Sequence, residues 1–496
     1  MTENNKEPKR DITKRQYILS IIVTLIIGVV GTLAISGMLT DSADDVGNES
    51  VEESTDLNLD TPIDFDVNYD ELQVIDKLYA VLMTTYFEEI DSTILIEGAL
   101  EGMAGAIGDP YTEYLDEVES TSFDEDISGS FQGIGAEVMK DGEYVRIVSP
   151  IANSPAAEAG LQPNDLIIEV DGESVADLTI NEAVSLIRGP VGTDVELLLI
   201  RGEEQFSMTL TRAEIPVETV YYEVDEDNPT IGYVNIVNFN MPTYMETVDA
   251  IKDLQEQGVE KIVFDVRGNP GGLLTSAIEI SNIFVPNGEP LMMTEYRQDE
   301  EPTVYMASDD YGGFKYEGEA ILLVNEGSAS ASEILAGAMQ FVGIPIYGQT
   351  TFGKGTVQSL VDLGATDELK FTSGKWLTAT GDWINETGIE PDVPVKLPDY
   401  AQLFIVNPMS TYKEGDSSAE VKNLKSVLTA IGYDVSDNET FDESVVNAVK
   451  AFQETNSLTV DGTVTGDTAR ALTDQLRAKI EANDTQYDAA IEALTK

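Results

Sequence analysis

The chain has no cysteine and no histidine among its 496 residues. It therefore forms no disulfide bond, and no imidazole is available as a catalytic base or as a metal ligand. Basic residues are also scarce, since 28 lysines and arginines stand against 91 acidic residues, for a net charge of −63. Such a surface repels nucleic acid, so we expect no nucleic-acid partner. With no histidine or cysteine beside the carboxylates, we also expect no metal and no cofactor.

Charged residues are missing from one long segment, residues 16–40. At about 1.5 Å per residue in a helix, this segment is long enough to span a bilayer. The basic residues upstream of it are Lys6, Lys9, Arg10, Lys14 and Arg15. Because basic flanks stay inside, residues 1–15 are predicted to be cytoplasmic and the rest extracytoplasmic, on a single-pass cell-membrane anchor. A cleaved signal peptide ending near Ala34-Ile35-Ser36 is the alternative.

The next two segments differ sharply in composition. Residues 41–68 are acidic and rich in small polar side chains, which is typical of an extended linker. Residues 69–128 form a helical region, because apolar residues recur at helical spacing over Leu72–Tyr86 and Ser92–Ile107. Gly108-Asp109-Pro110 ends the second helix. The two helices are either packing elements of this chain or a dimerisation arm, which would make the protein a homodimer.

Residues 129–213 show the order of parts of a small, mostly β domain. Two strands precede a short helix over Ser154–Leu161, and another strand, a helix over Ile180–Ile187 and a last strand follow. This order resembles a PDZ domain of the kind attached to proteases. The resemblance implies a peptide-binding groove in which Gly133, Ile134, Gly135 and Ala136 hold a terminal carboxylate through backbone N–H groups.

Residues 214–400 form the largest domain. Nearly continuous apolar strands alternate with helices, which predicts a layered α/β domain with much parallel sheet. Two glycine- or serine-rich turns follow strand ends, at residues 267–272 and 327–333. A serine between a strand end and a helix start can attack a carbonyl while nearby N–H groups hold the oxyanion. Each of Ser328, Ser330 and Ser332 can instead be a plain helix cap.

One lysine follows within the same domain. Lys354 lies between Gly353 and Gly355, which let the backbone carry its side chain inward. Burial lowers the pKa of a lysine, so a buried Lys354 is a candidate base where imidazole is absent. Gln358 follows four residues later and is placed to orient the amine.

Four motifs in order carry a family resemblance. They are Arg267–Gly272, Gly327–Glu333, Phe352–Gln358 and Gly388–Val393. Together they resemble those of the carboxy-terminal processing proteases, also called tail-specific proteases. The resemblance implies a serine endopeptidase with a crotonase-like core, with Ser330 as nucleophile, Lys354 as general base and Gln358 as its orienting partner. It also implies backbone oxyanion donors at Ala331 and at Gly271 or Gly272. The choice of Ser330 among the three serines comes from the family position alone.

The C-terminal part is a separate unit. Residues 410–476 predict three short amphipathic helices joined by glycine turns, and the Ala-Val-x-x-Phe-Gln and Asp-Gly pair resembles a small peptidoglycan-binding module. An unrelated three-helix packing unit is the alternative. Residues 477–496 form a charged helical tail with no evident task.

These expectations combine into one functional prediction. The chain is a multidomain α/β serine endopeptidase that binds free C-termini of extracytoplasmic proteins or peptides, is anchored in the membrane and contacts peptidoglycan. The rival prediction is a non-catalytic PDZ scaffold that links a membrane partner to the cell wall. A lipid-acting or acyl-CoA enzyme on the same core is disfavoured by the outward topology and the negative charge.

Overall fold

The structure is a computed structural model that describes residues 69–364 and 367–496. The predicted anchor, residues 16–40, and the predicted linker, residues 41–68, lie outside this part. Within the described ranges, no helix is both long and apolar enough to cross a bilayer.

The described chain begins with a helical arm. Its elements are α1 (Tyr69–Thr85), α2 (Ser92–Gly105), β1 (Glu113–Leu115) and α3 (Glu117–Ser128). Both predicted arm helices are confirmed, although α2 ends before Ile107. The apolar side chains of α1 are largely exposed, so α1 is not a packing element of the described chain; they include Leu72, Ile75, Leu78 and Val81.

The next elements build the small β domain. They are β2 (Ser130–Gly133), β3 (Ala136–Asp141), β4 (Tyr144–Pro150), α4 (Pro155–Ala159), β5 (Leu166–Val170), β6 (Glu173–Ser174), α5 (Ile180–Ile187), β7 (Asp194–Arg201), β8 (Glu204–Thr211) and β9 (Ala213–Pro216). The strands of the main sheet lie in the order β3-β4-β5-β7-β8, with β6 on β5. Strand β3 is therefore an edge strand of this sheet. The separate pair β2 and β9 closes the domain where the chain enters and leaves it.

The largest domain contains two sheets. Its elements are β10 (Val220–Val224), β11 (Ile231–Ile236), α6 (Thr243–Glu256), β12 (Lys261–Asp265), α7 (Leu274–Phe284), β13 (Pro290–Tyr296), β14 (Thr303–Met306), β15 (Glu319–Val324), α8 (Ala331–Phe341), β16 (Ile346–Gly348), β17 (Thr356–Gly364), β18 (Asp367–Thr378) and β19 (Val393–Pro394). One sheet has the order β10-β11-β12-β15-β16-β19 and is parallel from β11 onward. This confirms the predicted α/β domain with much parallel sheet.

The second sheet of this domain is antiparallel and was not predicted. Its order is β1-β18-β13-β14, and β17 also pairs with β18. Strand β1 belongs to the helical arm, so the arm contributes to the protease-core sheet. Helices α7 and α8 bury their apolar residues in the same core as Phe264, Leu322 and Trp376. Because β12 and β15 are parallel neighbours, the turns that follow them meet at one edge of the sheet.

The C-terminal elements are α9 (Ala419–Ala430), α10 (Glu443–Thr455), α11 (Gly466–Glu481) and α12 (Thr485–Leu494). The first three share a core of their own, as predicted, around Leu428, Phe441 and Phe452. The sequence indicated no role for the tail, residues 477–496, but the structure packs its last helix on the protease core. Ala490 and Leu494 of α12 pack in one cluster with residues of the parallel sheet: Ile231, Val263, Ile321 and Leu323.

Candidate active site

Ser330 lies at the start of α8 in an unusual backbone conformation. Its φ is 53° and its ψ is −113°, a region that favours glycine. Such a conformation costs about 1–3 kcal/mol and persists only where the surroundings fix it. Here the neighbouring Gly271 leaves the space, since a Cβ at Gly271 would lie 2.9 Å from the Cβ of Ser330. The turn of residues 267–272 is therefore packed directly on the serine turn.

The three serines of the run differ in what their hydroxyls do. Ser328 is fully buried, and its Oγ donates to the carbonyl of Val266 at 2.8 Å. Ser332 is also fully buried, and its Oγ donates to the carbonyl of Asn269 at 3.0 Å. Ser330 is only half-buried. Of the three, Ser330 is thus the serine whose hydroxyl can meet a substrate, a choice that the residues alone left open.

The predicted oxyanion donors belong to the serine turn and to the turn that packs on it. The N–H of Gly271 donates to Oδ1 of Asn269 at 2.8 Å, within the turn itself. Among the described residues, the N–H groups of Gly272 and Ala331 meet no acceptor. Asn269 fixes the turn, because its side chain donates to the carbonyl of Ile236 at 2.7 Å. Of the predicted oxyanion donors, Ala331 and Gly272 are free, whereas Gly271 is already engaged.

The loop of Lys354 packs closely on neighbouring backbone because the residues on either side of the lysine are glycines. A Cβ at Gly353 would lie 2.9 Å from the backbone N of Thr387, and a Cβ at Gly355 would lie 2.8 Å from the backbone N of Asn385. The carbonyl of Lys354 accepts a hydrogen bond of 2.8 Å from Nε1 of Trp376. Backbone packing therefore holds the loop against residues 385–387 and β18, and glycine is required at both positions.

Glu333 joins the serine turn to the lysine loop. Its side chain is fully buried at 0% exposure, yet its carboxylate accepts four hydrogen bonds. Oε2 accepts from the backbone N–H groups of Ser330 and Lys354, both at 2.8 Å. Oε1 accepts from the N–H of Gly353 at 2.7 Å and from Oγ1 of Thr351 at 2.6 Å. One buried anion thus sets the spacing between the predicted nucleophile and the predicted base.

The amine of Lys354 is in a partly desolvated environment. Burial is the main cause that holds the pKa of Lys354 below its ordinary value, and the nearby charge of Lys370 lowers it further. The carboxylates of Asp109 and Glu333 act in the opposite direction. The amine lies 4.6 Å from the ring centroid of Tyr111. A lowered lysine pKa increases the neutral fraction that can accept a proton.

The three predicted catalytic side chains lie on three segments: the serine turn, the lysine loop and β17. Among the described residues, no hydrogen bond joins Ser330, Lys354 and Gln358 through their side chains. Nε2 of Gln358 instead donates to Oγ1 of Thr356 at 2.9 Å and to Oγ1 of Thr372 at 3.5 Å. Gln358 is thus hydrogen-bonded to threonines of β17 and β18 in this structure.

The sequence reasoning missed one segment of the site, the turn after α2. Gly108-Asp109-Pro110 was interpreted only as a helix end, yet the following Tyr111 contacts Lys354. Oγ1 of Thr112 accepts from the backbone N–H of Thr372 on β18 at 3.2 Å. Nothing in the local sequence distinguishes this turn from an ordinary helix stop, because its role depends on the pairing of β1 with β18.

The predicted carboxylate-binding loop lies between β2 and β3. Among the described residues, the N–H groups of Ile134 and Gly135 meet no acceptor. Gly135 has a φ of 73°, and its carbonyl accepts from Oγ of Ser154 at 2.8 Å. Gly133 ends β2 and Ala136 begins β3, the edge strand. Free N–H groups beside an open strand edge can receive the end of an extended peptide.

Comparisons with known proteins identify relatives of this chain. Peptidase family S41 matches residues 230–395, which include both turns, Glu333 and the lysine loop. Carboxy-terminal processing protease CtpA of Bacillus subtilis is 41% identical over 97% of this chain and 99% of its own length. The chain belongs to peptidase family S41. It is a carboxy-terminal processing protease by family and a serine-type endopeptidase, as the resemblance predicted, and the scaffold alternative is not supported.

Other relatives and domains agree with this membership of family S41. A probable CtpA-like serine protease of Staphylococcus aureus is 35% identical over 99% of this chain and 95% of its own length. A PDZ domain matches residues 146–201, and a putative peptidoglycan binding domain matches residues 417–472. The N-terminal domain of activating protease CtpB matches residues 25–119. Both predicted accessory modules of the S41 protease are thereby confirmed.

The signature residues of the peptidoglycan-binding domain serve its fold. Gln453 is buried, and its Nε2 donates to Oδ1 of Asp461 at 3.0 Å and to the carbonyl of Thr463 at 2.9 Å. Its Oε1 accepts from the N–H of Gly462 at 2.9 Å. The Phe-Gln and Asp-Gly elements of the signature therefore fasten a loop to α10.

Proposed function

We propose that this S41 protease cleaves peptide bonds with Ser330 as nucleophile and Lys354 as general base. The observation that carries the proposal is the half-buried Ser330, which the turn of residues 267–272 packs against, with the desolvated Lys354 on a loop that Glu333 ties to the serine turn. No imidazole exists in the chain to take the role of base. A neutral amine on a fixed loop can take that role.

The proposed reaction follows from the arrangement. Neutral Lys354 accepts the proton of Ser330 as Oγ attacks the scissile carbonyl, and a C–O bond forms. The N–H groups of Ala331 and Gly272 donate to the resulting oxyanion. The lysine ammonium then returns its proton to the departing amine as the C–N bond breaks. Water hydrolyses the acyl-enzyme and restores the serine hydroxyl, with Gln358 orienting the amine from β17.

Single substitutions test this pair. We expect Ser330→Ala and Lys354→Met each to lower cleavage of an unfolded reporter protein by about 1,000-fold or more, because each removes a reacting atom. Ser328→Ala and Ser332→Ala, which remove only buried hydrogen bonds, are the matched controls and should keep most of the activity. Product analysis by mass spectrometry measures the outcome. Normal cleavage by Ser330→Ala or Lys354→Met would show that Ser330 and Lys354 are not the nucleophile and the base.

Activity is also expected to depend on pH. The reaction needs the neutral amine of Lys354, and its pKa is held below the ordinary lysine value, chiefly by burial. The value of kcat/KM should therefore rise as pH increases through that lowered pKa and level off above it. Measurement from about pH 6 to about pH 10 with a peptide substrate tests this. A rate that is flat over the range, or that falls with pH, contradicts a lysine base.

We infer that the PDZ domain selects substrates by their free C-termini. The free N–H groups of Ile134 and Gly135 and the open edge of β3 support this role. A pair of reporters that differ only by amidation of the terminal carboxylate tests it. Equal binding of both by the full-length Ser330→Ala protein would exclude carboxylate recognition.

We propose that the protease is held at the cell membrane and faces outward. The uncharged residues 16–40 and the basic residues before them support an anchor of that orientation. The peptidoglycan binding domain at residues 417–472 fits an extracytoplasmic position and a contact with the wall. Extraction of membranes with alkaline carbonate, and pull-down with purified peptidoglycan, test the two parts separately. Release by carbonate or failure to sediment with peptidoglycan would reject the corresponding part.

We also propose that the helical arm joins two copies of the chain. The exposed apolar residues of α1 support this, because a solvent-exposed stripe of this kind is typical of an interface. Sedimentation of the wild type and of a Leu78→Glu variant tests it, since Leu78 is 59% exposed. A wild-type monomer at micromolar concentration would exclude the dimer.

A further inference from the structure

The turn between α2 and β1 contacts the side chain of Lys354. Its residues Asp109–Thr112 connect α2 to β1, and β1 pairs with β18 of the core. Oδ2 of Asp109 accepts from Oγ1 of Thr112 at 2.6 Å, and Oδ1 accepts from the N–H of Tyr111 at 3.2 Å. The carboxylate thus fixes the turn that presents the tyrosine ring. A third hydrogen bond, from the N–H of Thr372 to Oγ1 of Thr112 at 3.2 Å, fastens the turn to β18. Thr372 pairs there with Gln358 of β17.

The ring of Tyr111 faces the amine of Lys354. The distance from Nζ to the ring centroid is 4.6 Å, within the range of a cation–π contact. Such a contact favours the ammonium over the neutral amine, because the ring face is negative. Asp109 acts in the same direction by its charge. Desolvation and the charge of Lys370 oppose them, and Glu333 adds a further attraction for the ammonium.

We propose that Tyr111 is a positioning residue whose ring holds the ammonium form of Lys354 away from Ser330 until the lysine loses its proton. The proposal rests on the proposed function, because it assigns a resting position to the base of that pair. It accounts for two observations together. Lys354 contacts the Tyr111 ring, and no hydrogen bond joins it to Ser330 among the described residues. On deprotonation the ring attraction is lost, and the neutral amine is free to turn to the serine.

Two substitutions of Tyr111 distinguish an effect of the aromatic ring face from an effect of side-chain volume. Tyr111→Phe keeps the ring, so its pH profile of kcat/KM should match that of the wild type. Tyr111→Leu keeps an apolar side chain but removes the ring, so the ammonium loses its stabilisation and the profile should move to lower pH by about 0.5–1 unit. If the ring only fills space beside Lys354, Tyr111→Leu should lower kcat/KM at every pH and leave the inflection of the pH profile where it is. That result would overturn the proposal.

A second measurement does not depend on catalysis. In the Ser330→Ala background, limited acetylation with acetic anhydride at a series of pH values, read by peptide mass spectrometry, titrates the Lys354 amine. Adding Tyr111→Leu should shift that titration to lower pH by a similar amount, and Asp109→Asn should shift it in the same direction by removing a facing carboxylate. Unshifted titrations would refute the positioning role. If Lys354→Met retained activity while these shifts occurred, the proposed base would fail but the Tyr111 contact would stand.

Discussion

Replacing Glu333 with glutamine is expected to lower kcat/KM by about 100-fold or more, although Glu333 itself need not touch the substrate. The carboxylate accepts from the backbone N–H groups of Ser330, Gly353 and Lys354 and from the hydroxyl of Thr351. A glutamine side chain offers one accepting oxygen, and its NH₂ group would face N–H donors. At least one of the contacts that Glu333 makes with the serine turn and the lysine loop must therefore be lost. A displacement of a reacting group by about 1 Å can lower the rate about 100-fold.

The same substitution should destabilise the protein. Each buried donor left without an acceptor costs about 1–3 kcal/mol, so the loss of two gives about 2–6 kcal/mol. Urea unfolding can be followed by tryptophan fluorescence, because both tryptophans, Trp376 and Trp383, lie in the protease core. Trp376 is buried and bonds to the carbonyl of Lys354, so it reports on the lysine loop itself.

Glu326→Gln is the matched control for Glu333. Glu326 lies in the same turn region but is exposed, and its Oε2 accepts only from Nε2 of Gln349, at 2.8 Å. Its replacement should leave kcat/KM and the urea midpoint nearly unchanged. Full activity in Glu333→Gln would show that the carboxylate does not set the distance between serine and lysine.

Removal of the C-terminal helix is expected to cost the protease core at least 4 kcal/mol, an order-of-magnitude value for a lost buried leucine and its neighbours. Truncation after residue 482 deletes α12 and uncovers the apolar face of the parallel sheet. It also removes Asp484 and Gln486, which bind the guanidinium of Arg267 at 2.7–3.0 Å. Arg267 begins the glycine turn beside Ser330, so activity should fall along with stability.

Two substitutions on α12 test whether its buried apolar side chains account for the loss of stability. Leu494→Ala should destabilise the core by about 2–4 kcal/mol, because Leu494 is buried against the sheet. Glu492→Ala on the same helix is the control, since Glu492 is exposed and pairs only with Lys496 near the chain end. Tryptophan fluorescence in urea again measures the core. A truncated protein with wild-type stability would mean that the tail contributes nothing, as the sequence first suggested.

Much of the fold was predictable because its signals are local. Continuous apolar runs predicted the parallel strands, and helix α5 was placed correctly as Ile180–Ile187, where Thr179 and Glu182 form a capping box. The antiparallel sheet was missed because its pairings join distant segments, such as β1 with β18. The role of α12 was missed for a related reason. A short amphipathic helix shows that one face is apolar but not which surface will cover it.

By itself, the sequence determined the chemistry that is available. The lack of histidine and cysteine excludes an imidazole base and a thiolate nucleophile, and four motifs in order carry the family resemblance that implies a serine with a lysine base. The tertiary structure decided which groups are free to act. The hydroxyls of the buried Ser328 and Ser332 donate to the carbonyls of Val266 and Asn269, at the turn that packs on the run, whereas Ser330 is only half-buried. Tyr111 likewise reaches Lys354 only because a strand of the arm joins the core sheet. Hydrogen-bond engagement and proximity between distant segments are properties of the packed chain, and no local pattern of residues encodes them.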